Sequence, residues 1–326
     1  MLTILLPVNI HTKYFYPAIE SISIAVQKFP HPTELLIVLN NISEFHQKSV
    51  LKDLEKYSHQ KRVITCLSKN FSEVLNFGIQ ESSHEIIARM DADDIVVPTR
   101  FIQQFSIIAS DPNMAVLGGQ TILIDEDDAI IGRTHYPTAP HLIKKELPFR
   151  NCLAHPTVLY RRSAIMTTGG YRSEFAFAED YDLWVRLSEN WRIANISTVV
   201  LKYRVHSTQV SSSHFFTQLK STVRIMGSQF YVNSYQLKKD LETISTSNVS
   251  KFITSVLKVP PLSRDSNFKS AVAIMILRRG SRYTGFGFFQ NFLLFMTAFR
   301  SNPIFSGHVI LDLLFSRLIK FSKKSP

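Results

Sequence analysis

Cysteine is nearly absent from this chain of 326 residues: Cys66 and Cys152 are the only two, at no metal-ligand spacing. That argues against a disulfide framework and against a thiolate zinc site, and it points to a reduced, cytosolic chain. Long apolar runs are missing too. The nearest candidate, residues 286–299 (FGFFQNFLLFMTAF), is shorter than the ~20 residues of a spanning helix and is interrupted by Gln290 and Asn291. The apolar stretch 2–8 has neither a basic leader nor a small-residue cleavage site, so it is expected to be a buried strand, not a signal peptide. Acidic residues are scarce only in the last third. Residues 215–326 carry 16 Lys/Arg against 4 Asp/Glu, a net of +12, whereas residues 1–214 carry 21 and 22, a net of −1. The formal +11 therefore describes neither part, and a uniformly cationic protein is excluded.

What is present is ample core material. Hydrophobic residues make up 45% and charged ones 19%, which excludes global disorder and suits one large domain or two modest ones. Apolar runs at 2–8, 34–39, 63–67 and 85–90 read as strands, separated by helical patterns at 14–29, 44–58 and 72–82. That alternation predicts an α/β fold with a mixed, mostly parallel sheet flanked by helices, whose ligands sit beyond the carboxyl ends of the strands. Asn40–Asn41 and Asp91–Asp94 both follow strands and are expected to face one cleft. Further on, a helix at 98–109, a strand at 114–117, and a hairpin through Gly118-Gly119 and the acidic turn 125–128 are expected. Residues 134–150 read as irregular, followed by a strand at 157–160, a helix around 179–189 and a strand at 197–203. The Ser-rich stretch 207–213 coincides with the charge shift. It suggests a catalytic domain at 1–210 and a basic helical region at 211–326.

Two acidic constellations carry chemistry. Arg89-Met90-Asp91-Ala92-Asp93-Asp94 places three carboxylates in four residues directly after a buried strand. Crowded carboxylates repel unless a cation lies among them, and an all-oxygen set suits magnesium or manganese. A solvated turn or helix cap is the competing reading. Glu179-Asp180 opens a helix, where the macrodipole favours carboxylates, so capping competes there too.

Residues 68–100 (SKNFSEVLNFGIQESSHEIIARMDADDIVVPTR) resemble the central segment of family 2 glycosyltransferases. So do residues 151–172 (NCLAHPTVLYRRSAIMTTGGYR), 177–184 (FAEDYDLW) and 203–206 (YRVH). The resemblance covers about the first 210 residues. It implies a GT-A-like fold and an inverting enzyme, hexosyl- or N-acetylhexosaminyl-transferring, of bacterial surface-polysaccharide assembly (capsule or lipopolysaccharide). Its substrates would be a nucleotide-diphosphate sugar donor and a glycan or lipid-linked glycan acceptor. By the same resemblance Asp91 would lie at the donor ribose. Asp93, with His206, would bind a divalent metal (Mn or Mg), and Asp94 would be an outer ligand or a cap. Asp180 would be the general base with Glu179 beside it. His155 and Trp184 would lie on the acceptor side, and Arg204 would contact phosphate. The backbone at Pro7 and Val8 would flank the base.

Two departures from the family pattern stand out. Leu39-Asn40-Asn41 replaces paired aspartates, leaving Asn40 to meet the base. Ser68-Lys69-Asn70 replaces a Gly-containing turn, with Asn70 expected to supply a left-handed backbone and Lys69 to reach the nucleotide. In the basic third, residues 215–244 and 267–279 read as helical. Residues 308–324 place Asp312, Ser316 and Lys320 in a narrow polar stripe beside an apolar face. Such a face fits an anionic membrane surface, hence a peripheral position on the inner face of a bacterial cell membrane, with a helical subdomain packed on the catalytic domain as the competing reading. Two other readings compete: a catalytically inactive assembly subunit, and a nucleic-acid-binding protein. The second leaves the ordered acidic motifs unexplained, so no nucleic-acid partner is expected.

Overall fold

The computed structural model describes residues 1–206 and 214–230, with residues 239 and 242 as isolated helical positions. Contacts divide the chain into one unit of Met1–Leu147 with Asn151–His214 and a second of Pro148–Arg150 with Phe215–Pro326. In the first, nine strands form one sheet: β1 (Leu2–Val8), β2 (Thr33–Asn40), β3 (Lys61–Cys66), β4 (Ile86–Arg89), β5 (Ile95–Val96), β6 (Met114–Ile124), β7 (Ile130–Arg133), β8 (Leu159–Arg161) and β9 (Arg192–Arg204). Their order is β3-β2-β1-β4-β8-β6-β9-β5, with β7 on β6. The β1–β2, β2–β3, β1–β4 and β6–β9 pairs are parallel, and β4–β8, β6–β8, β5–β9 and β6–β7 are antiparallel. The sheet is therefore mixed, as expected.

The apolar runs do not alternate because both faces of the sheet are covered. On one face, Leu2, Ile4, Leu6, Leu35, Ile37 and Leu39 join a core with α1 (Phe15–Gln27), α2 (Glu44–Leu54) and α4 (Arg100–Ser110). On the other, α3 (Phe71–Glu81) lies so close that a Cβ on Gly78 would come 2.5 Å from a Leu5 methyl. That glycine lets the helix approach the strand.

Strand order reverses between β1 and β4, and their pairing ends at Leu5–Arg89. Beyond it β1 continues through Pro7, which needs no partner on that side for an amide it lacks. A crevice at the carboxyl end of such a switch point is where α/β sheets hold ligands. Asp91 begins there.

Several expectations change. The strand expected at 114–117 runs on through Gly118-Gly119 to Ile124 as β6. A Cβ on Gly118 would sit 2.2 Å from Asn195 Oδ1, and one on Gly119 2.7 Å from a Val200 methyl, so the pair admits β9. The acidic turn does close a hairpin, with Asp125 Oδ1 accepting from the Asp127 and Ala129 amides and Asp128 at φ 65°. The irregular stretch contains α5 (Pro140–Glu146). Asn70 is extended at φ −114° and caps α3 by accepting from Ser72 N, so it supplies no left-handed turn. The remaining helices of this unit are α6 (Arg162–Thr167), closed by Gly169 and Gly170 at positive φ, and α7 (Glu179–Asn190).

In the second unit, α8 spans Phe215–Phe230, within the helical stretch expected at 215–244. The expected helix at 267–279, the aromatic run 286–299 and the striped segment 308–324 lie outside the described residues. Among the described residues no helix is long and apolar enough to cross a membrane.

Candidate active site

The acidic cluster hangs from the end of β4. Arg89, its last residue, is buried, and its guanidinium donates twice to Asp91, Nη1 to Oδ2 at 2.8 Å and Nη2 to Oδ1 at 2.6 Å. This forked pair sets the Asp91 carboxylate at the crevice mouth. Asp93 Oδ2 lies 3.0 Å from His206 Nε2, just past the end of β9. Asp94 is 1% exposed; its Oδ1 accepts from Arg204 N at 2.8 Å, while Oδ2 is buried without a hydrogen-bond partner. It does not cap α4, whose N-cap position is Thr99.

Ligand oxygens of Asp91, Asp93 and Asp94 lie within 4.8 Å of one another. Burial pushes the Asp94 carboxyl well above its ordinary range, and the charges of Asp93 and Asp91 add to that. Burial raises Asp91 as well, against the pull of Arg89. An oxygen-only cluster that is costly to ionise, with one orphaned buried acceptor, fits a hard divalent cation.

Arg204 is a brace, not a free phosphate ligand. Its Nε donates to Asp93 O (3.0 Å), Nη1 to Asp125 O (3.0 Å), and Nη2 pairs with Asp128 (2.6 Å); the guanidinium also lies over the Tyr14 ring at 4.3 Å. The residue is 1% exposed. The acidic hairpin turn thus locks the strand end that carries His206.

The second carboxylate group opens α7. Glu179 is buried, which pushes its carboxyl up to about 7, with the Asp180 charge contributing next. Backbone amides of Glu179 and Phe177 turn toward it, and Phe177 takes φ 63° to do so. A bulky residue in that region is unusual and is typical of functional turns. Asp180 is half-buried; its Oδ1 accepts from Tyr181 N at 2.7 Å and its Oδ2 from Asn151 Nδ2 at 2.8 Å. The N-cap residue Ala178 makes no side-chain cap, and the first-turn amide of Tyr181 is met instead by Asp180 Oδ1, so the helix terminus itself favours these carboxylates. Asp182 instead pairs with Arg172 and, at 2.8 Å, with Arg186.

Trp184 is fully buried and presents no surface to an acceptor. Four residues after Asp180, it lies one turn further along the core-facing side of α7, edge-on to His155 at 5.9 Å. His155 is half-buried and bonded through Nε2 to Tyr171 Oη (2.7 Å); burial holds its imidazole well below the ordinary range, hence neutral.

At the ends of β1–β3, Pro7 is half-buried, Val8 buried and Lys69 exposed. Asn40 Oδ1 accepts from Ser68 N (3.1 Å), so the group it can offer a ligand is its amide Nδ2. Asn41, at φ 47°, donates to Ser68 O (2.6 Å) and clamps the two loops.

Sequence reading passed over Arg89, Asn151, Tyr171 and Tyr14. A charged residue inside a buried strand run was the available signal for Arg89. For Asn151 there was none beyond its place at the head of a family-like segment.

Carboxylates gathered at the carboxyl end of a sheet's switch point suit the ligand site of an α/β enzyme. A family model described as Glycosyltransferase like family 2 matches residues 3–247, and the chain belongs to that family. It is similar to the O-antigen biosynthesis glycosyltransferase WbnJ of Escherichia coli, 32% identical over 221 residues, which span 66% of this chain and 85% of that protein. It is also similar to an E. coli UDP-Gal:alpha-D-GlcNAc-diphosphoundecaprenol beta-1,3-galactosyltransferase, 25% identical over 174 residues, 53% of this chain and 63% of the relative. Among solved structures, the mannosyltransferase PcManGT from Pyrobaculum calidifontis, in complex with GDP-Man and Mn2+, matches with a TM-score of 0.54 at 11% identity. That match covers 99% of this chain and 88% of the other. The fold is the GT-A type.

Proposed function

We propose that this enzyme moves a sugar from a nucleotide-diphosphate sugar to a hydroxyl of a lipid-linked glycan, in the assembly of a bacterial surface polysaccharide, by a single inverting displacement. The observation that carries the reading is the acidic cluster at the carboxyl end of β4: three carboxylates within 4.8 Å, one buried oxygen of Asp94 without a hydrogen-bond partner, and Asp93 3.0 Å from His206.

Asp93 and His206 would hold a divalent ion, Mn2+ or Mg2+, with Asp94 Oδ2 available beside them. Bound there, the ion offsets the negative charge that grows on the departing diphosphate. Asp91, fixed by Arg89, receives the ribose hydroxyls, while Pro7, Val8 and the Asn40 amide border the base and Lys69 stands at the nucleotide's edge. Asp180 removes the proton from the acceptor hydroxyl. The oxygen's electron pair then bonds to the anomeric carbon, and the bond from that carbon to the diphosphate oxygen breaks with its pair on the nucleoside diphosphate. Attack opposite the leaving group inverts the carbon. Glu179, protonated over much of the neutral range, can donate a hydrogen bond to the acceptor.

The relative that acts on a diphosphoundecaprenol-linked sugar supports a lipid-linked acceptor. The +12 beyond residue 214 supports peripheral docking on the anionic cytoplasmic face of the membrane.

A panel of nucleotide-diphosphate sugars titrated by calorimetry, with and without Mn2+, tests the donor. At least one is expected to bind, more tightly with the ion, and binding by none would overturn the reading. Retained anomeric configuration in the product, seen by NMR, would overturn the single displacement.

A further inference from the structure

We propose that Asn151 is a positioning residue for catalysis: its side-chain amide holds the Asp180 carboxylate in the orientation and charge state needed to take the acceptor's proton. The inference rests on Asp180 being the base.

The amide cannot be turned the other way. Asn151 Oδ1 accepts from Leu153 N at 3.2 Å, and that bond forces Nδ2 toward Asp180 Oδ2, 2.8 Å away. The loop is itself anchored from β9. Asn195, 4% exposed, donates through Nδ2 to Cys152 O (3.0 Å) and Pro137 O (2.8 Å). Gly118 leaves the space that Asn195 fills, since a Cβ there would lie 2.2 Å from its Oδ1. A chain of contacts thus runs from the middle of β6 through Asn195 and the Cys152 carbonyl to Asn151 and the carboxylate.

Asp180 has one donor on each oxygen, Tyr181 N on Oδ1 and Asn151 Nδ2 on Oδ2, which fixes the carboxylate plane and leaves lone pairs for a proton. The helix amide belongs to the backbone and is present whatever the side chains are. The Asn151 amide is a donor that a substitution can remove. Glu179 on the same turn and Tyr171 in the turn after α6 also act electrostatically with this carboxylate. Glu179 disfavours the ionised form. The Asn151 donor favours it, because a hydrogen bond to a carboxylate stabilises the charge.

Two variants test this. Asn151→Asp keeps the size and the oxygen that accepts from Leu153 N, but turns a second oxygen on Asp180. Asn151→Ala removes both bonds. Release of nucleoside diphosphate is followed as a function of pH, using a nucleotide-diphosphate sugar that the wild type turns over, with urea midpoints as the folding control. In both variants kcat at pH 7 is expected to fall about 10- to 100-fold, with the donor KM unchanged. The acid limb of the kcat profile is expected to move upward by about one pH unit in Asn151→Asp and by less in Asn151→Ala, so that activity recovers toward alkaline pH. An equal loss at every pH, an unchanged profile, or a loss in donor KM alone would overturn the inference. If Asn151→Asp does not fold, Asn151→Ala decides by the same criteria. Wild-type turnover in Asp180→Asn would instead overturn the assignment of the base. An inactive Asp180→Asn beside an Asn151→Asp with the wild-type pH profile overturns this inference alone.

Discussion

The end of β4 and the start of α7 each gather carboxylates, yet their oxygens are met in opposite ways. At β4, three aspartates crowd within 4.8 Å, and Asp94 Oδ2 is left buried without a partner. That group is left with an unmet acceptor, which suits the cation proposed for it. At α7, Asp180 has a hydrogen-bond donor on each oxygen and Glu179 is held near neutrality by burial. That arrangement suits the proton transfer proposed for Asp180. Density of acidic residues therefore does not define a role here. What separates metal-type carboxylates from proton-transfer carboxylates is which of their oxygens the protein has already satisfied.

The comparison breaks most sharply on the two central residues. Asp180→Asn, which preserves shape and removes basicity, is expected to lower kcat by about 10²–10⁴-fold in a steady-state assay of nucleoside diphosphate release. Next comes Arg89→Met. It strips the buried cation from both groups and leaves Asp91 unpaired, so the urea unfolding free energy should drop by about 3 kcal/mol. A loss below about 1 kcal/mol would make Arg89 a marginal contact, not the joint between the groups.

Glu179→Gln sharpens the contrast by pH. The folded pKa is raised from 4.5 to about 7, so the native state holds more protons than the unfolded chain between those values. Wild-type stability from this group is thus full below pH 4.5 and is lost as pH rises through 7. The variant lacks that fall. It should be more stable than wild type at pH 8 by on the order of 1–3 kcal/mol and show no such gain at pH 4. Equal stabilities at pH 8, measured by urea unfolding, would mean that Glu179 ionises without penalty. The smallest expected effect concerns the basic region. Co-sedimentation with phosphatidylglycerol vesicles should exceed that with phosphatidylcholine and weaken between 0.05 and 0.5 M salt, at about 1 kcal/mol per basic residue near the surface. No preference for the anionic vesicles would remove the membrane address.

Much of this arrangement was legible in the residues themselves. Runs such as 2–8 and 34–39 are apolar at all but one position each, Thr3 and Glu34, which bond to one another; a doubly covered sheet requires such runs, and β1 and β2 follow them closely. β5 has two residues and carries no pattern of its own; its pairing with β9 creates it. The small size of Gly118-Gly119 has no reason in the sequence until β9 is laid beside it. In the site, the aspartates were visible because their density is unusual, and Asp180 because of its family-like setting. Arg204 and Trp184 look like ligand contacts in sequence, but the acidic hairpin and the core of α7 engage them instead. Asn151 acquires meaning only when a loop anchored on β9 comes opposite the first turn of α7.

The most direct test of separate roles is donor binding with and without Mn2+ in two variants, measured by calorimetry with the nucleotide-diphosphate sugar that the wild type uses. Asp180→Asn should bind the donor as wild type does, with the same strengthening by the ion, while turning none over. Asp93→Asn should lose the ion-dependent part of the binding. Undiminished strengthening by Mn2+ in Asp93→Asn, or lost donor binding in Asp180→Asn, would contradict the division of labour between the two carboxylate groups.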